Sequence, residues 1–343
     1  MKKPQHVTAE HVARLAGVSI SAVSRTFTEG ASVSPEMREK VLDAAEKLGY
    51  QVNFLARSFH KQKIPLIGIV VSKLSNPFLS RLLSDLIHSI QASGLNAMVC
   101  EAGKGQEERD VFVQLLQYRV SGVVILSGTP AEVIVNICAE QGIPTVAINR
   151  GCPLEIVDEV ISDNLRGGTM ASDLLLAAGC KELAFVNKER QTFSGMERGT
   201  AFLKSLADKV VSGGLQFRTY NVPDDDLESG MLIARDLFAA PVFPDGIFAA
   251  NDLLACGIIE GAKAYHGRVA GRDFSIIGFD DIDCAGWPSF QLSTFKQDSL
   301  ALARQAMTRL QERILDPTKT KTTDIIPIRF IERSSITGLH HEN

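Results

Sequence analysis

Residues Val12–Phe27 read VARLAGVSISAVSRTF, two short apolar patterns hinged on the corner Ala16-Gly17-Val18. Thr8 is a good N-cap for a helix through Leu15, with Val12, Ala13, Leu15 and Ala16 on its buried side. Gly17 suits a corner that needs a positive φ. Ser19 then caps a second helix from Ile20 to about Phe27, with Val23 turned back toward the first. Helices of this length are marginal alone in water, so a third element must hold them. Ser34-Pro35, a cap followed by proline in the first turn, opens it, and Gly49 closes it. Met37, Val41, Ala44, Ala45 and Leu48 keep helical spacing along it. The pattern predicts a helix-turn-helix braced by a third helix, whose second helix would enter the major groove of DNA. A generic three-helix bundle is the alternative that these residues alone leave open.

Charge distribution separates this head from the remainder. The chain has 343 residues and a formal net charge of −4, yet residues 1–63 carry ten Lys/Arg against six Asp/Glu. The rest carries 26 against 34, so a basic head precedes an acidic body, which points to a polyanion partner for the head. No secretory h-region follows Met1-Lys2-Lys3-Pro4, and no apolar run reaches the length of a membrane span. The six cysteines are scattered without C-x-x-C spacing, as expected of reduced thiols in a cytoplasmic protein.

The run VTAEHVARLAGVSISAVSRTFTEGASVSPEMREKVLDAAEKLGYQVNFLARSF resembles the DNA-binding head of the lac repressor (LacI/GalR) family. The VA-x-x-AGVS-x-x-xVSR core, the VS-x-x-xRE-KV third helix and the GY-x-x-N-x-x-A segment carry the likeness. The resemblance implies that Ile20 and Ser21 begin the recognition helix, with Ala22, Ser24 and Arg25 further along. Arg25 alone there can grip guanine with two hydrogen bonds. Thr8, Ser19, Ser24, Thr28 and the helix N-termini would hold phosphates, which set register without reading bases. Asn53, Ala56 and Phe59 match a hinge that folds on operator DNA in the family and wedges a leucine into the minor groove. Here Phe59 stands at the wedge and Val52 where proline usually precedes the asparagine. Phenylalanine is an accepted wedge; packing of Phe59 on the body is the competing reading.

From Ile64 the pattern becomes apolar strands alternating with amphipathic helices: IPLIGIVVS, LNAMVCEA, GVVILSG, IPTVAIN, then ELAFVN, LQFRTYNV, GIFAA and FSIIGF. Such a series predicts α/β lobes with doubly wound, mostly parallel sheets. Two halves in succession suit a cleft-forming binding protein, and the likeness is to periplasmic-binding-protein-type effector domains. The expected organisation is a helix-turn-helix over 1–49, a hinge over 50–63 and an effector-binding and dimerisation body over 64–343. Within the body, one lobe takes about 64–163 and 295–322, the other about 164–290 and 323–336.

Polar residues at strand ends are the candidates for a pocket: Asp163, Arg198, Asn251 and Asp280, which match the family's effector contacts. An arginine fork facing carboxylates and an amide suits a polyhydroxylated ligand or a sugar acid. Asn251, Asp252, Asp280 and Asp281 precede helical patterns and can also serve as caps; the cap reading is the stronger for Asp252 and Asp281. Phe78, in an Asn76-Pro77-Phe78 turn, is expected to line the cleft. Trp287, the only tryptophan, can stack on a sugar or pack in the core. No dinucleotide fingerprint, complete phosphate loop or nucleophile motif occurs, so neither an enzyme nor a cofactor or metal is expected. The resulting expectation is a cytoplasmic, nucleoid-associated regulator, most often a repressor in the family. It would bind double-stranded operator DNA and a small sugar or sugar-acid effector as a homodimer, with no membrane partner. The tail LHHEN lacks the leucine heptads of a tetramer-forming bundle.

Overall fold

Capping chemistry sets the ends of the three head helices, α1 (Ala9–Ala16), α2 (Ile20–Thr26) and α3 (Pro35–Leu48). His11 takes the capping-box position, its Nδ1 accepting from the Thr8 backbone N–H at 3.1 Å. Ser19 Oγ accepts from Ala22 N and Ser34 Oγ from Met37 N, so α2 and α3 each start on a serine. Gly17 and Gly49 close α1 and α3 at φ 67° and 63°, the left-handed region that glycine enters without strain. Val12, Ala13, Val23, Val41, Ala44 and Ala45 form the shared core. Leu15, expected on the buried side, is instead 52% exposed, lining an open recess with Val7, His11, Arg14 and Leu48 rather than joining the shared core.

This computed structural model describes residues 7–28, 30–50, 66–102, 106–126, 132–211 and 214–338. The hinge positions Asn53, Ala56 and Phe59 lie outside them. The chain divides into two compact units, Met1–Ile64 and Pro65–Asn343.

In the second unit, β1 (Leu66–Val71), α4 (Pro77–Ala92), β2 (Asn96–Glu101), α5 (Gln106–Gln117), β3 (Gly122–Ile125), α6 (Glu132–Glu140), β4 (Thr145–Ile148) and β5 (Val157–Ser162) follow in order. Then come α7 (Asn164–Ala177), β6 (Glu182–Lys188), α8 (Phe193–Val211), β7 (Gln216–Val222), α9 (Leu227–Leu237), β8 (Gly246–Ala249), α10 (Asp252–His266) and β9 (Ser275–Asp280). A short 3₁₀ turn (Asp283–Gly286), β10 (Ser293–Gln297), α11 (Ser299–Leu315), β11 (Thr323–Ile326) and β12 (Ile328–Ile331) complete it. Two six-stranded sheets result, ordered β11-β5-β4-β3-β1-β2 and β12-β10-β9-β8-β6-β7. Among the described residues every strand pairing is parallel except β10 with β12. Parallel strands buried on both faces explain the near-continuous apolar runs, and Phe185, Phe202 and Phe248 stack at about 5–6 Å in the core of the second lobe.

The chain crosses between lobes three times, and two crossings differ from the expected boundaries. β10 pairs with β9, so residues 295–297 belong to the second lobe and the crossing follows Gln297. β11 pairs with β5, so 323–326 return to the first lobe, and the last crossing falls at Pro327. Proline has no N–H to extend a ladder, which separates two strands that run in sequence into different sheets.

Arg313 on α11 is 2% exposed and grips the fully buried Asp158 carboxylate on β5 through two 2.8 Å bonds. Asp158→Ala would strand the guanidinium and should cost about 3–5 kcal/mol of stability in denaturant unfolding. A loss within the ordinary surface range would show the pair to be dispensable.

Candidate DNA-reading helix and interlobe cleft

The exposed face of α2 carries Ile20, Ser21, Ser24 and Arg25. Ile20 is 54% exposed at the helix start, an apolar side chain suited to a thymine methyl. Arg25 Nε rests on Ser21 O at 3.3 Å, which leaves the fork end of the guanidinium directed along the solvent face. Thr8 and Ser19 are exposed cap residues, and Thr28 Oγ1 donates to Ser24 O at 2.8 Å. Ala22 is a correction: its side chain is 5% exposed and belongs to the packed side of α2, so it has no reach to a base edge.

The second constellation lies between the lobes, at the carboxyl ends of strands from both sheets. Asn76 and Phe78 at the start of α4 face Asn187 and Lys188 at the end of β6, Thr192 and Ser194 before and on α8, Arg198, Asp225, Asn251 and Asp280. Asn149 and Gln297 line it where the chain crosses. Asn76 Oδ1 caps α4 by accepting from Leu79 N, which turns Phe78 into the cleft wall. Asn251 serves twice, capping α10 through Leu254 N and lining the cleft.

Arg198 is 6% exposed and locked in place. Its Nε donates to Asn164 Oδ1 at 2.9 Å, its Nη1 to Ala250 O at 2.7 Å, and its guanidinium lies 3.5 Å from the Phe279 ring centroid. The Asp280 carboxylate stands 3.9 Å away, a loose pairing. Burial therefore outweighs attraction on both sides: it lowers Arg198 to about 10, opposed by Asp280, and pushes Asp280 up to about 8, opposed by Arg198. Gln297 Nε2 donates to Asp280 Oδ1 at 2.6 Å. Asp280 and Asn149 hold φ of 128° and 51°, strained for residues with side chains, and strain of this kind collects at functional sites.

Of the expected pocket residues, Phe78, Arg198, Asn251 and Asp280 converge. Asp163 is not among the cleft-lining residues: its carboxylate accepts from Arg166 N and caps α7. Trp287 is 58% exposed beyond the 3₁₀ turn, neither in the core nor in the cleft lining. Asp252 and Asp281 do not cap. Asp252 is fully buried, accepts from Ile282 N and Thr294 Oγ1, and is pushed up to about 6 by burial against that hydroxyl's opposing bond. Asp281 instead binds Arg333 at 2.6 Å. Sequence reasoning missed Asn149, Asn187, Lys188, Asp225 and Gln297; Asn149 and Asn187 were visible as amides at the ends of apolar strands. A wider recess of about 540 Å³ beyond Gln297 includes Arg81, Asp281, Asp283 and Arg333. Arg81 and Arg333 already pair with Asp283 and Asp281 there, so it is a weaker candidate than the cleft.

Known proteins resemble the head and the body separately. Residues 8–53 match the bacterial regulatory proteins of the lacI family, and 172–336 match a periplasmic binding protein-like domain. The head thus resembles the lacI family and the body resembles periplasmic binding proteins. The chain is 28% identical over 330 residues to the ribose operon repressor of Lactococcus lactis, covering 96% of this chain and 98% of that one. Its fold matches the lac repressor dimer bound to operator and an anti-inducer with a TM-score of 0.84 at 23% identity, over 97% and 100% of the two chains. A lacI-family regulator from Enterococcus faecium with bound ribose matches at 26% identity and a TM-score of 0.72, over 80% of this chain and 99% of that one. The similar chains are themselves transcriptional repressors and regulators.

Arg25→Ala should cost about 1–3 kcal/mol of specific binding and relax one base position. Equal losses on all sequences in a gel-shift panel would reduce Arg25 to a phosphate contact. Because Asp280 has a raised folded-state pKa, the folded chain binds the extra proton and stability falls as pH rises from about 4 toward about 8. Asp280→Asn should flatten the fall in melting temperature between about pH 5 and about pH 8; an unchanged slope would place the proton elsewhere.

Proposed function

We propose that this repressor binds a near-palindromic operator as a homodimer in the cytoplasm, under control of a small sugar or sugar acid held between the lobes. The cleft carries this reading. Polar groups from both lobes and from two crossings converge there, with Phe78 supplying an apolar wall and Arg198, Asn251, Asp280 and Asn149 the polar partners. That mixture suits a ligand with an apolar face and several hydroxyls. Asp163 and Trp287 are left with supporting roles outside the wall. Ribose is the first effector to try, since a ribose operon repressor is similar across nearly the whole chain and a ribose-bound regulator matches the body.

On the DNA side, Ile20, Ser21 and Arg25 would read bases, while Thr8, Ser19, Ser24, Thr28 and the helix N-termini would hold phosphates. Asn53, Ala56 and Phe59 would complete the grip in the minor groove. A ligand with unequal affinity for two lobe arrangements shifts the population of operator-competent dimers, and the shift is limited by that difference.

Four measurements test the reading together. Operator affinity should fall steeply with salt, as counterion release demands, and light scattering should give the mass of two chains. Melting temperature should rise with one member of a panel of pentoses, hexoses and sugar acids, and that member should change the gel shift. A flat salt series sinks the operator reading. A panel without response, or a response that leaves operator affinity untouched, sinks the effector reading.

A further inference from the structure

Two loops face each other across the mouth of the cleft. Lys73 follows β1 in the first lobe, and Asp224 follows β7 in the second. Lys73 Nζ lies 2.9 Å from Asp224 Oδ2. Lys73 lines the cleft, whereas Asp224 does not. Asp224 is bound in turn to the residue beside it, its Oδ1 accepting from Asp225 N at 2.8 Å. Asp225 belongs to the cleft: its carboxylate holds Lys188 Nζ at 2.8 Å, and its carbonyl accepts from Asn251 Nδ2 at 3.1 Å. A continuous polar path thus runs from the cleft wall, through Asn251 and Lys188, to Asp225, Asp224 and across to the other lobe at Lys73. A second strap joins the lobes elsewhere, where Arg81 on α4 donates to Asp283 Oδ1 at 2.6 Å and to Asp281 O at 3.1 Å.

We propose that Lys73 and Asp224 form a latch across the cleft that positions the lobes for the effector, with Asp225 relaying the state of the effector site to it. This rests on reading the cleft as the effector site. The magnitudes suit a switch. The two side chains are 38% and 49% exposed, and a part-exposed pair of this kind shifts an equilibrium by only about twofold to fivefold. A latch of that strength biases closure without preventing it. Burial alone would lower the Lys73 ammonium, but the hydrogen bond and charge of Asp224 outweigh it and raise the group. Burial likewise opposes the Asp224 charge, yet the bonds from Asp225 and Lys73 hold its carboxyl well below the usual range. Both partners therefore stay charged at neutral pH, and added salt rather than pH is what loosens the contact.

The test uses the full chain. A water-soluble carbodiimide joins an amine and a carboxylate that are already in contact, forming an amide while the carbodiimide takes up the lost water as a urea. Mass spectrometry of the digest should find Lys73 joined to Asp224, with the Asp43–Lys47 pair of the head, 2.7 Å apart, as the internal positive control. Asp224→Asn and Lys73→Met should each abolish the bridging peptide. Finding the control peptide without the interlobe one overturns the latch. In D-ribose titrations followed by melting temperature, Asp224→Asn should raise the half-maximal concentration severalfold although Asp224 lies off the cleft wall. The double variant should then be no worse than either single change. An unaltered Asp224→Asn midpoint, or effects that simply multiply, overturns the coupling. A wild-type chain that ignores D-ribose counts against ribose as effector, and the crosslink then decides the latch by itself.

Discussion

Four buried polar side chains at the ends of strands hold the two lobes in register. Asn149 Nδ2 and Ser162 Oγ both donate to Gln297 Oε1, Ser162 N donates to Asn149 Oδ1, and Gln297 Nε2 donates to Asp280 Oδ1. Asn149 and Ser162 end strands of the first sheet, and Asp280 and Gln297 end strands of the second. An unsatisfied amide in such a place costs more than a made bond contributes, so each member demands the others. Ser162 and Gln297 also stand at the two points where the chain first leaves one sheet for the other. The same bonds that join the lobes therefore build the floor of the cleft, and Asp280 extends them to Arg198.

The head depends on a different economy. Its three helices share six small or β-branched core residues, and no pair of them could bury enough apolar surface to stand alone. Caps at Thr8, Ser19 and Ser34 fix where each helix begins. That in turn fixes which faces of α2 turn inward: Ala22, Val23 and Thr26 pack, and the intervening positions Ser21, Ser24 and Arg25 are presented. Arg38 on α3 ties the two together by donating to Thr26 O at 3.1 Å. Recognition chemistry is thus a by-product of packing geometry.

Two buried arginine–aspartate pairs in the body are built differently. Arg313 with Asp158 is dry, bidentate and bound into the first lobe. Arg198 with Asp280 is equally dry but loose, and both groups are displaced from their ordinary pKa by burial. A buried, incompletely compensated pair in a cleft wall can gain from a ligand hydroxyl placed between its members. The contrast separates an ion pair that serves the fold from one available to a ligand, although both look alike as an arginine and an aspartate far apart in the chain.

Local signals were sufficient for the elements. Helical spacing, serine caps and terminal glycines marked α1 to α3 to within a residue or so, because caps and left-handed glycines act on their own neighbours. Apolar runs marked the central strands of both sheets for a similar reason: strands buried on both faces have no polar side to alternate. What local pattern could not carry was partnership. Residues 293–297 and 323–326 carried no strand signal strong enough to read, and the sheet each joins is decided by hydrogen bonds to β9 and, far away in sequence, to β5. Ala22 and Leu15 needed the third helix to decide their faces. Asp163 and Asn251 both cap helices, and only the folding of two sheets toward each other puts the second, not the first, on the cleft wall. Gln297 and Asn149, which no motif singled out, become central because a buried amide takes its meaning from the partner that tertiary structure brings to it.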